Sequence, residues 1–492
     1  MKNLLIRADA GPQIGTGHVM RCLALAQAWQ DTGGRTTFAM AMDAPAIEAR
    51  LKAEGMHVVR LEVDAGGTDD VAHTVDLARK LEAQVVVVDG YHFGADYQRT
   101  IKDAALPLLF IDDNGHASHY YADLVLNQNL HADSSLYTNR EPYTQLLLGT
   151  RYVLLHRQFL KWRGWKREIP DRARKVLITL GGGDPDNVTG KVLKALASLD
   201  AEIKVAVGGS NSHVEHLKVD IRQLKNNAEL IVDATNMPDL MSWADVAVAA
   251  GGTTSWELAF MGLPSLVLVL ADNQQAVADA LDSAGAASKT TLRRVAAELD
   301  ALAGNVGKRR AMSQRGRRLV DGSGARRVVM KMAGVPFRLR QAREEDCKML
   351  WQWVNEPEVR SSAFSSEPIL WESHAKWFER KLNARNCRIF IGVDEADTPF
   401  GQVRFDWNEV GDAEVDVSLV KSKRNVGLGT SLLDEASKKI FQESPVQMIH
   451  AYIKVENVKS LHAFERAGFK KIGVDAVHGH HAIHFIRESR DE

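Results

Sequence analysis

Asp9-Ala10-Gly11-Pro12-Gln13-Ile14-Gly15-Thr16-Gly17-His18 places a histidine behind three glycines, between a short apolar run and a helical pattern. Glycines in such a connection let backbone amides come close to a ligand at a helix N-terminus, where the dipole favours anions. A neutral imidazole at that point is a candidate general base, and the competing reading is a histidine that caps the helix. The spacing is not G-x-G-x-x-G, so a nicotinamide fingerprint is not supported. Two more glycine loops follow, Gly181-Gly182-Gly183-Asp184-Pro185-Asp186-Asn187 and Gly251-Gly252-Thr253-Thr254-Ser255, the second opening a helix that carries Glu257. Their amides and hydroxyls suit a diphosphate, and a carboxylate one turn into the helix suits both hydroxyls of a ribose. Capping and ordinary loop glycines explain one such loop better than three. Asp9, Asp112 and Asp113 are the carboxylates considered for orienting His18 or a water.

The last third of the chain carries a different set. Lys423-Arg424-Asn425-Val426-Gly427-Leu428-Gly429-Thr430 has R-x-x-G-x-G spacing before an amphipathic helix, which lets successive amides wrap a pyrophosphate, although no G-K-[ST] follows. Glu414 and Asp416 alternate on the incoming strand, as candidates to deprotonate an amine or as cross-strand partners. His478, His480, His481 and His484 lack a carboxylate or thiolate at ligand spacing, so a closing hairpin or a partner strand is expected there and no metal site.

These loops need strands and helices to hold them. Through the first 320 or so residues, β-rich runs such as NLLIRAD, QVVVVDG, LPLLFIDD, KVLITLGGG, DVAVAAGG and PSLVLVL alternate with helical patterns. Runs apolar on both faces belong in parallel sheets. The polar, basic stretch 156–175 separates two blocks of this rhythm, which predicts two doubly wound α/β domains, 1–165 and 166–332, with a cleft between them. MAGVP (332–336) reads as a linker. Beyond it CRIFIGVD, FGQVRFDW and AEVDVSLV alternate as an antiparallel meander, so 337–492 is expected to be a separate α+β domain.

Composition narrows the function classes. The chain has 492 residues, 45% hydrophobic and 25% charged, with 62 Lys and Arg against 63 Asp and Glu. That is a folded globular composition with no global field for nucleic acid or anionic lipid. Asn305 to Met332 holds nine Lys or Arg and one Asp, which the apolar spacing makes helices with a solvated basic face rather than a nucleic-acid patch. Cys22, Cys347 and Cys387 are far apart and form no C-x-x-C pair, the start lacks a signal-peptide run, and the apolar stretch 263–271 is too short for a bilayer. A cytoplasmic protein without a membrane partner is expected.

RADAGPQIGTGHVMRCLALAQAW, the DGY at 89–91, IDDNGH, DLVLNQN, LLGTRYVLLHRQF, GGGDPDN and AAGGTTSWELAFMGLPSLVLVLADNQ, in that order over about residues 1–330, resemble the UDP-sugar hydrolases of pseudaminic acid biosynthesis. Related to these are the GT-B glycosyltransferases that make lipid II. The resemblance implies a GT-B-like pair of domains. His18 would be the catalytic base and Glu257 the ribose ligand, with Thr254 and Ser255 at the pyrophosphate and Asn273 and Gln274 facing the sugar. Gly17, Gly182, Gly183 and Gly252 would line the nucleotide sugar. It implies inverting attack of water at the anomeric carbon, with UDP as a leaving group that needs little acid help because helix amides hold its charge. No metal is expected.

The R-x-x-G-x-G loop with Glu456-Asn457-Val458-Lys459-Ser460-Leu461-His462-Ala463-Phe464-Glu465-Arg466-Ala467-Gly468-Phe469 resembles the GNAT superfamily of N-acetyltransferases over about 337–487. The resemblance implies acetyl-CoA as co-substrate. Arg424, Asn425, Gly427, Gly429 and Thr430 would hold the diphosphate, and Leu419, Val420 and Asn457 the pantetheine arm. Many members have a tyrosine where Phe464 stands, to protonate the departing thiolate, so Tyr452 or a water is expected to substitute, and Glu414 to act as base. The two halves together imply acetylation of the 4-amino group of UDP-4-amino-4,6-dideoxy-N-acetyl-β-L-altrosamine, then hydrolysis of the product. The alternatives are a different UDP-amino sugar of the legionaminic type, and a sugar-nucleotide-binding protein with an inactive acetyltransferase.

Overall fold

Strands that are apolar on both faces require helices on both sides, and the first of the chain's two compact units, Met1–Ala333 and Gly334–Glu492, builds two such layered sheets. The computed structural model describes residues 3–11, 14–181, 184–209, 211–224, 227–334, 337–424, 427–477 and 479–489.

The first sheet contains β1 (Asn3–Ala8), β2 (Arg35–Met40), β3 (His57–Arg60), β4 (Ala83–Asp89), β5 (Leu108–Ile111), β6 (Leu124–Asn127) and β7 (Gln145–Leu148), in the order β3-β2-β1-β4-β5-β6-β7. All neighbours are parallel. Along β4, Val85 and Val87 enter one core with Trp29 and Phe38, while Val86 and Val88 enter the opposite one with Tyr97 and Phe110. The winding reverses between β1 and β4, and the loops leaving the carboxyl ends of those strands diverge to open a crevice.

The second sheet repeats the scheme with β8 (Lys175–Thr179), β9 (Glu202–Val207), β10 (Ala228–Val232), β11 (Val246–Ala250), β12 (Ser265–Leu268) and β13 (Ser288–Thr290), in the parallel order β10-β9-β8-β11-β12-β13. Its switch point lies between β8 and β11, so the Gly181 and Gly251 loops leave from there. The helix Gly324–Met332 follows the second sheet in sequence, yet its Ala325, Val328 and Val329 join the core of the first.

The basic run differs from the solvated face expected of it. Arg309 is fully buried and donates to the carbonyls of Leu302, Pro170 and Asp171, and Arg327 pairs with Asp321 and donates to the Arg151 carbonyl. Part of this charge therefore satisfies backbone carbonyls between elements.

The second unit has β14 (Arg338–Gln341), β15 (Cys387–Val393), β16 (Pro399–Trp407), β17 (Asp412–Leu419), β18 (Met448–Lys454), β19 (Lys470–Val477) and β20 (His480–Glu488), ordered β14-β15-β16-β17-β18-β20-β19. The meander β14 to β17 is antiparallel. β17 and β18 are parallel, joined through the helix Leu428–Glu443, because parallel neighbours need a long crossover. Their pairing covers only Asp412–Glu414 with Met448–His450, although both strands run on, so they separate beyond that point. Among the described residues, no helix is long and apolar enough to cross a membrane.

Candidate functional site

The crevice of the first sheet is built from three elements. β1 delivers the glycine loop, whose Gly11 and Gly15 exchange two backbone hydrogen bonds, and the helix Gly17–Gln30 then carries His18 on its first turn. β4 ends on Asp89, which is completely buried at the neighbouring strand end. His18 Nδ1 donates to Asp89 Oδ1 at 2.7 Å. Arg21, one turn along the helix from His18, donates through Nε and Nη2 to both oxygens of Asp89 at 2.6 Å, and through Nη1 to Asp113 at 2.5 Å. Burial alone would raise the Asp89 carboxyl, but the charges of Arg21 and His18 and their hydrogen bonds hold it far below the usual carboxylate range. An ionised carboxylate only accepts, so Nδ1 of His18 carries a proton, and the neutral ring presents a lone pair at Nε2. This is the geometry of a general base.

The three aspartates considered from sequence do not orient His18 directly. Asp9 is turned away and accepts from the Ala41 and Met42 amides, with Arg7 at 2.7 Å. Asp112 accepts from Tyr120 and from three amides of its own loop, and pairs with His116 at 2.9 Å. Asp113 reaches the site through Arg21, while Asn129 donates to its other oxygen. The sequence signal for Asp89 was its position as the one charge closing an apolar strand beside β1.

Tyr91, two residues beyond Asp89, meets the His18 ring edge-on at 4.9 Å. Asn273 donates to its hydroxyl at 3.4 Å, which brings the loop after β12 to the His18 crevice. Gln274 instead accepts the Leu270 amide, and its carbonyl would lie 2.9 Å from a Cβ at Gly251, so that glycine is needed for the loops to meet.

At the second switch point, Gly252 faces open space, and Thr254 opens the helix Thr254–Met261 with its hydroxyl unpartnered among the described residues. Ser255 is committed elsewhere: its amide donates to the Gly252 carbonyl and its hydroxyl to the Ala250 carbonyl, at 3.0 and 3.1 Å. Glu257 has no hydrogen-bond or ion-pair partner among the described residues, and burial pushes its carboxyl up to about 8. In the other loop Asp184 and Asn187 cap the helix Val188–Ala195. Gly182 and Gly183 lie outside the described residues. Gly17 has open space around it.

In the second unit the turn after β17 leads to Gly427, whose φ of +83° requires glycine and around which a Cβ would meet nothing. Gly429 lies one residue into the helix, where a Cβ would touch Leu419 at 3.3 Å, and Thr430 follows on its first turn. That cradle fits a diphosphate through backbone amides. The Arg424 side chain is held differently from the sequence expectation: it donates to the Leu419 carbonyl and to Glu356 and Glu358, at 2.9, 2.5 and 2.7 Å. The Val420 amide donates to the Phe400 carbonyl, and the Asn457 side chain caps the helix Val458–Arg466. Asn425 lies outside the described residues.

Phe464 is buried against Phe469 at 5.0 Å, in the core under the sheet. Glu414 is exposed beside His450, and Asp416 accepts from Gln402 and lies 3.6 Å from Arg404. Tyr452 stacks on His484 at 4.4 Å. Burial, Asp475 and Glu414 hold its phenol above the usual value, so it stays protonated. β19 and β20 form the closing hairpin. His480 and His481 are exposed and His478 lies outside the described residues. Among the described residues, no group of three or more His, Cys, Asp or Glu side chains is arranged to hold a metal ion.

Comparison with known proteins bears on both units. The family described as acetyltransferase (GNAT) domain matches residues 337–470. The second unit is thus a GNAT-like domain by its family match and its mixed sheet. Such a domain implies acetyl-CoA as co-substrate. The glycosyltransferase family 28 C-terminal domain matches residues 180–320, the second sheet and its loops. The crystal structure of MurG from Acinetobacter baumannii superposes with a TM-score of 0.50 at 17% identity, covering 68% of this chain and all of MurG. This establishes a GT-B-like pair of α/β sheets ahead of the GNAT domain. An uncharacterized protein of Methanocaldococcus jannaschii is 23% identical over 95% of this chain and 96% of its own. The UDP-2,4-diacetamido-2,4,6-trideoxy-β-L-altropyranose hydrolase of Campylobacter jejuni is 24% identical over 57% of this chain and 97% of its own.

Proposed function

We propose that the first unit hydrolyses UDP-2,4-diacetamido-2,4,6-trideoxy-β-L-altropyranose to UDP and the free sugar, and that the GNAT domain acetylates the 4-amino group of the precursor UDP-sugar. The observation that carries the hydrolase reading is the His18–Asp89 pair at the switch point of the first sheet, with Nε2 of His18 free to take a proton. The similarity to the Campylobacter jejuni hydrolase, over nearly its whole length, supplies the substrate class.

In this reading His18 Nε2 removes a proton from a water directed at the anomeric carbon. Asp89 holds the ring and stabilises the imidazolium, and Arg21 keeps Asp89 ionised. The diphosphate leaves against the Gly252 and Thr254 backbone, and Glu257 accepts both ribose hydroxyls, which gives its unpartnered carboxylate donors. Ser255 supports this loop through its own hydrogen bonds and is not a phosphate ligand. Asn273 faces the sugar from the loop that touches Tyr91.

Acetyl-CoA supplies the acyl group as a thioester; its diphosphate lies on the turn from Arg424 to Thr430, and its pantetheine arm where β17 and β18 separate. Tyr452 donates the proton that the departing thiolate takes. The protein acts in the cytoplasm.

The test is incubation of the protein with UDP-4-amino-4,6-dideoxy-N-acetyl-β-L-altrosamine, with and without acetyl-CoA, following sugar and phosphorus by NMR. The expected result is UDP release that depends on prior acetylation in wild type, and loss of UDP release but not of acetylation in His18→Ala. Wild-type turnover by His18→Ala would refute the assignment. Products from a legionaminic-type isomer alone would move the reading to that sugar.

A further inference from the structure

Three polar side chains across β18, β20 and β19 have no role in the mechanism above. His450 and Tyr452 alternate with buried residues along β18. In the parallel pairing His450 stands beside Glu414, at the last pair before β17 and β18 separate. His484 lies opposite Tyr452 on β20, and Asp475 opposite Ala482 on β19 and β20. The side chains link up: Asp475 Oδ2 is 2.9 Å from His484 Nδ1, and His484 Nε2 is 2.9 Å from His450 Nδ1.

With both rings neutral, the end group sets the direction of every hydrogen bond in this chain. A carboxylate accepts only, so His484 bonds it through Nδ1–H, and Nε2 of the neutral ring is a lone pair. That lone pair accepts, so His450 carries its proton on Nδ1. Nε2 of His450 is thereby left as a lone pair, with no hydrogen-bond partner among the described residues. His450 faces His484 from β20 and Asp412 and Glu414 from β17, while Tyr452 faces Asp475 and Glu414. Burial holds His450 below the ordinary imidazole value, against the pull of Asp412 and Glu414, so it is neutral at pH 7.

We infer that His450 Nε2 is the base that deprotonates the acceptor amine, with His484 and Asp475 as positioning residues and Glu414 as the anion that draws the ammonium in. This rests on the acetyltransferase reading and moves the base from Glu414 to its neighbour. The ammonium gives one proton to Nε2, and the freed lone pair attacks the thioester carbonyl. The C–N bond forms, the C–S bond breaks, and the second N–H proton ends on the departing thiolate by way of Tyr452. The proton on His450 returns to water. Asp475, two hydrogen bonds away, stabilises the cation while it lasts.

Two measurements on the full-length protein test this. Long-range nitrogen–proton NMR of histidine-labelled protein, assigned with His450→Gln and His484→Gln, should show Nδ1–H on both rings, and a proton on Nε2 of His450 overturns the inference. Thiol release from acetyl-CoA with the UDP-4-amino sugar should fall about 100-fold in kcat for His450→Gln, with the Kd for acetyl-CoA within threefold of wild type. Asp475→Asn should lower kcat about tenfold and move the acid limb of the pH profile to lower pH, because the anion that favours the imidazolium is gone. Retention of more than a third of kcat by His450→Gln, or an unmoved limb in Asp475→Asn, overturns the inference. If wild type transfers nothing to this sugar, the acceptor proposed above is wrong, and the tautomers alone decide for or against the chain.

Discussion

His18 is aimed by what holds its other nitrogen, and that partner is where sequence reading stops short. Asp89 closes a run of valines and looks like any strand-ending aspartate; only the pairing of β1 with β4 brings it to His18, because the two are 71 positions apart. Asp9, much nearer in sequence, is drawn off by Arg7 and two backbone amides. Asp89→Asn should lower kcat for UDP release roughly 10²–10⁴-fold, since an amide can donate to Nδ1 and leave the proton on Nε2. The Kd for UDP should stay within threefold, and calorimetric titration with UDP alongside steady-state rates checks both. Glu257 was legible as a carboxylate one turn past the glycines, but its isolation was not. With its carboxyl raised to about 8 by burial and ribose hydroxyls favouring the ionised form, binding selects the deprotonated protein. The Kd for UDP should therefore fall as pH rises from 6.5 towards 8 and level off above it, by up to about tenfold per unit. Glu257→Gln should flatten that slope, and a slope unchanged in the variant would dissociate Glu257 from the ribose.

At the scale of elements, the β-rich runs were readable because doubly wound sheets bury both faces of a strand, and the alternation in CRIFIGVD and FGQVRFDW because an antiparallel meander there distinguishes its faces. The parallel pairing of β17 with β18 was not readable, since AEVDVSLV alternates in the same way whichever direction its neighbour runs. That pairing matters: it ends at Glu414 and His450, which makes the vertex where the strands part a polar one. The turn after β17 shows which features of a motif are backbone and which are side chain. Arg424 is tied to Glu356 and Glu358, so the phosphate-binding part of the motif is the glycine backbone. Gly427→Ala adds a methyl to open space, so any loss reports the positive φ, which costs an L-residue about 1–2 kcal/mol. The expected result is an approximately tenfold rise in the Kd for acetyl-CoA with retained cooperative unfolding, measured by titration and thermal melting. Unchanged affinity would place the diphosphate elsewhere.

At the scale of the molecule, the chain is two units with separate cores, and the GNAT domain has packing on both faces of its own sheet. Residues 334–492 expressed alone should therefore unfold cooperatively and bind acetyl-CoA within threefold of the full chain. The first unit does not divide as simply. The helix Gly324–Met332 belongs by sequence to the second sheet but fills the core of the first, where Val328 and Val329 are almost completely buried and the backbone of Gly324 packs directly on Val153. Burying each such side chain contributes about 1.5–3 kcal/mol, so removing the helix takes away a large part of a stability that is commonly 5–15 kcal/mol. A fragment ending at residue 323 keeps His18, Asp89, Arg21 and Glu257, yet it should melt several degrees below the 1–333 fragment and lose most of its UDP release. Thermal melting and rate assays of the two fragments compare them directly. Equal melting temperatures would mean that the helix merely covers the first sheet, and that the crevice around His18 is held by β1, β4 and the helix Gly17–Gln30 without it.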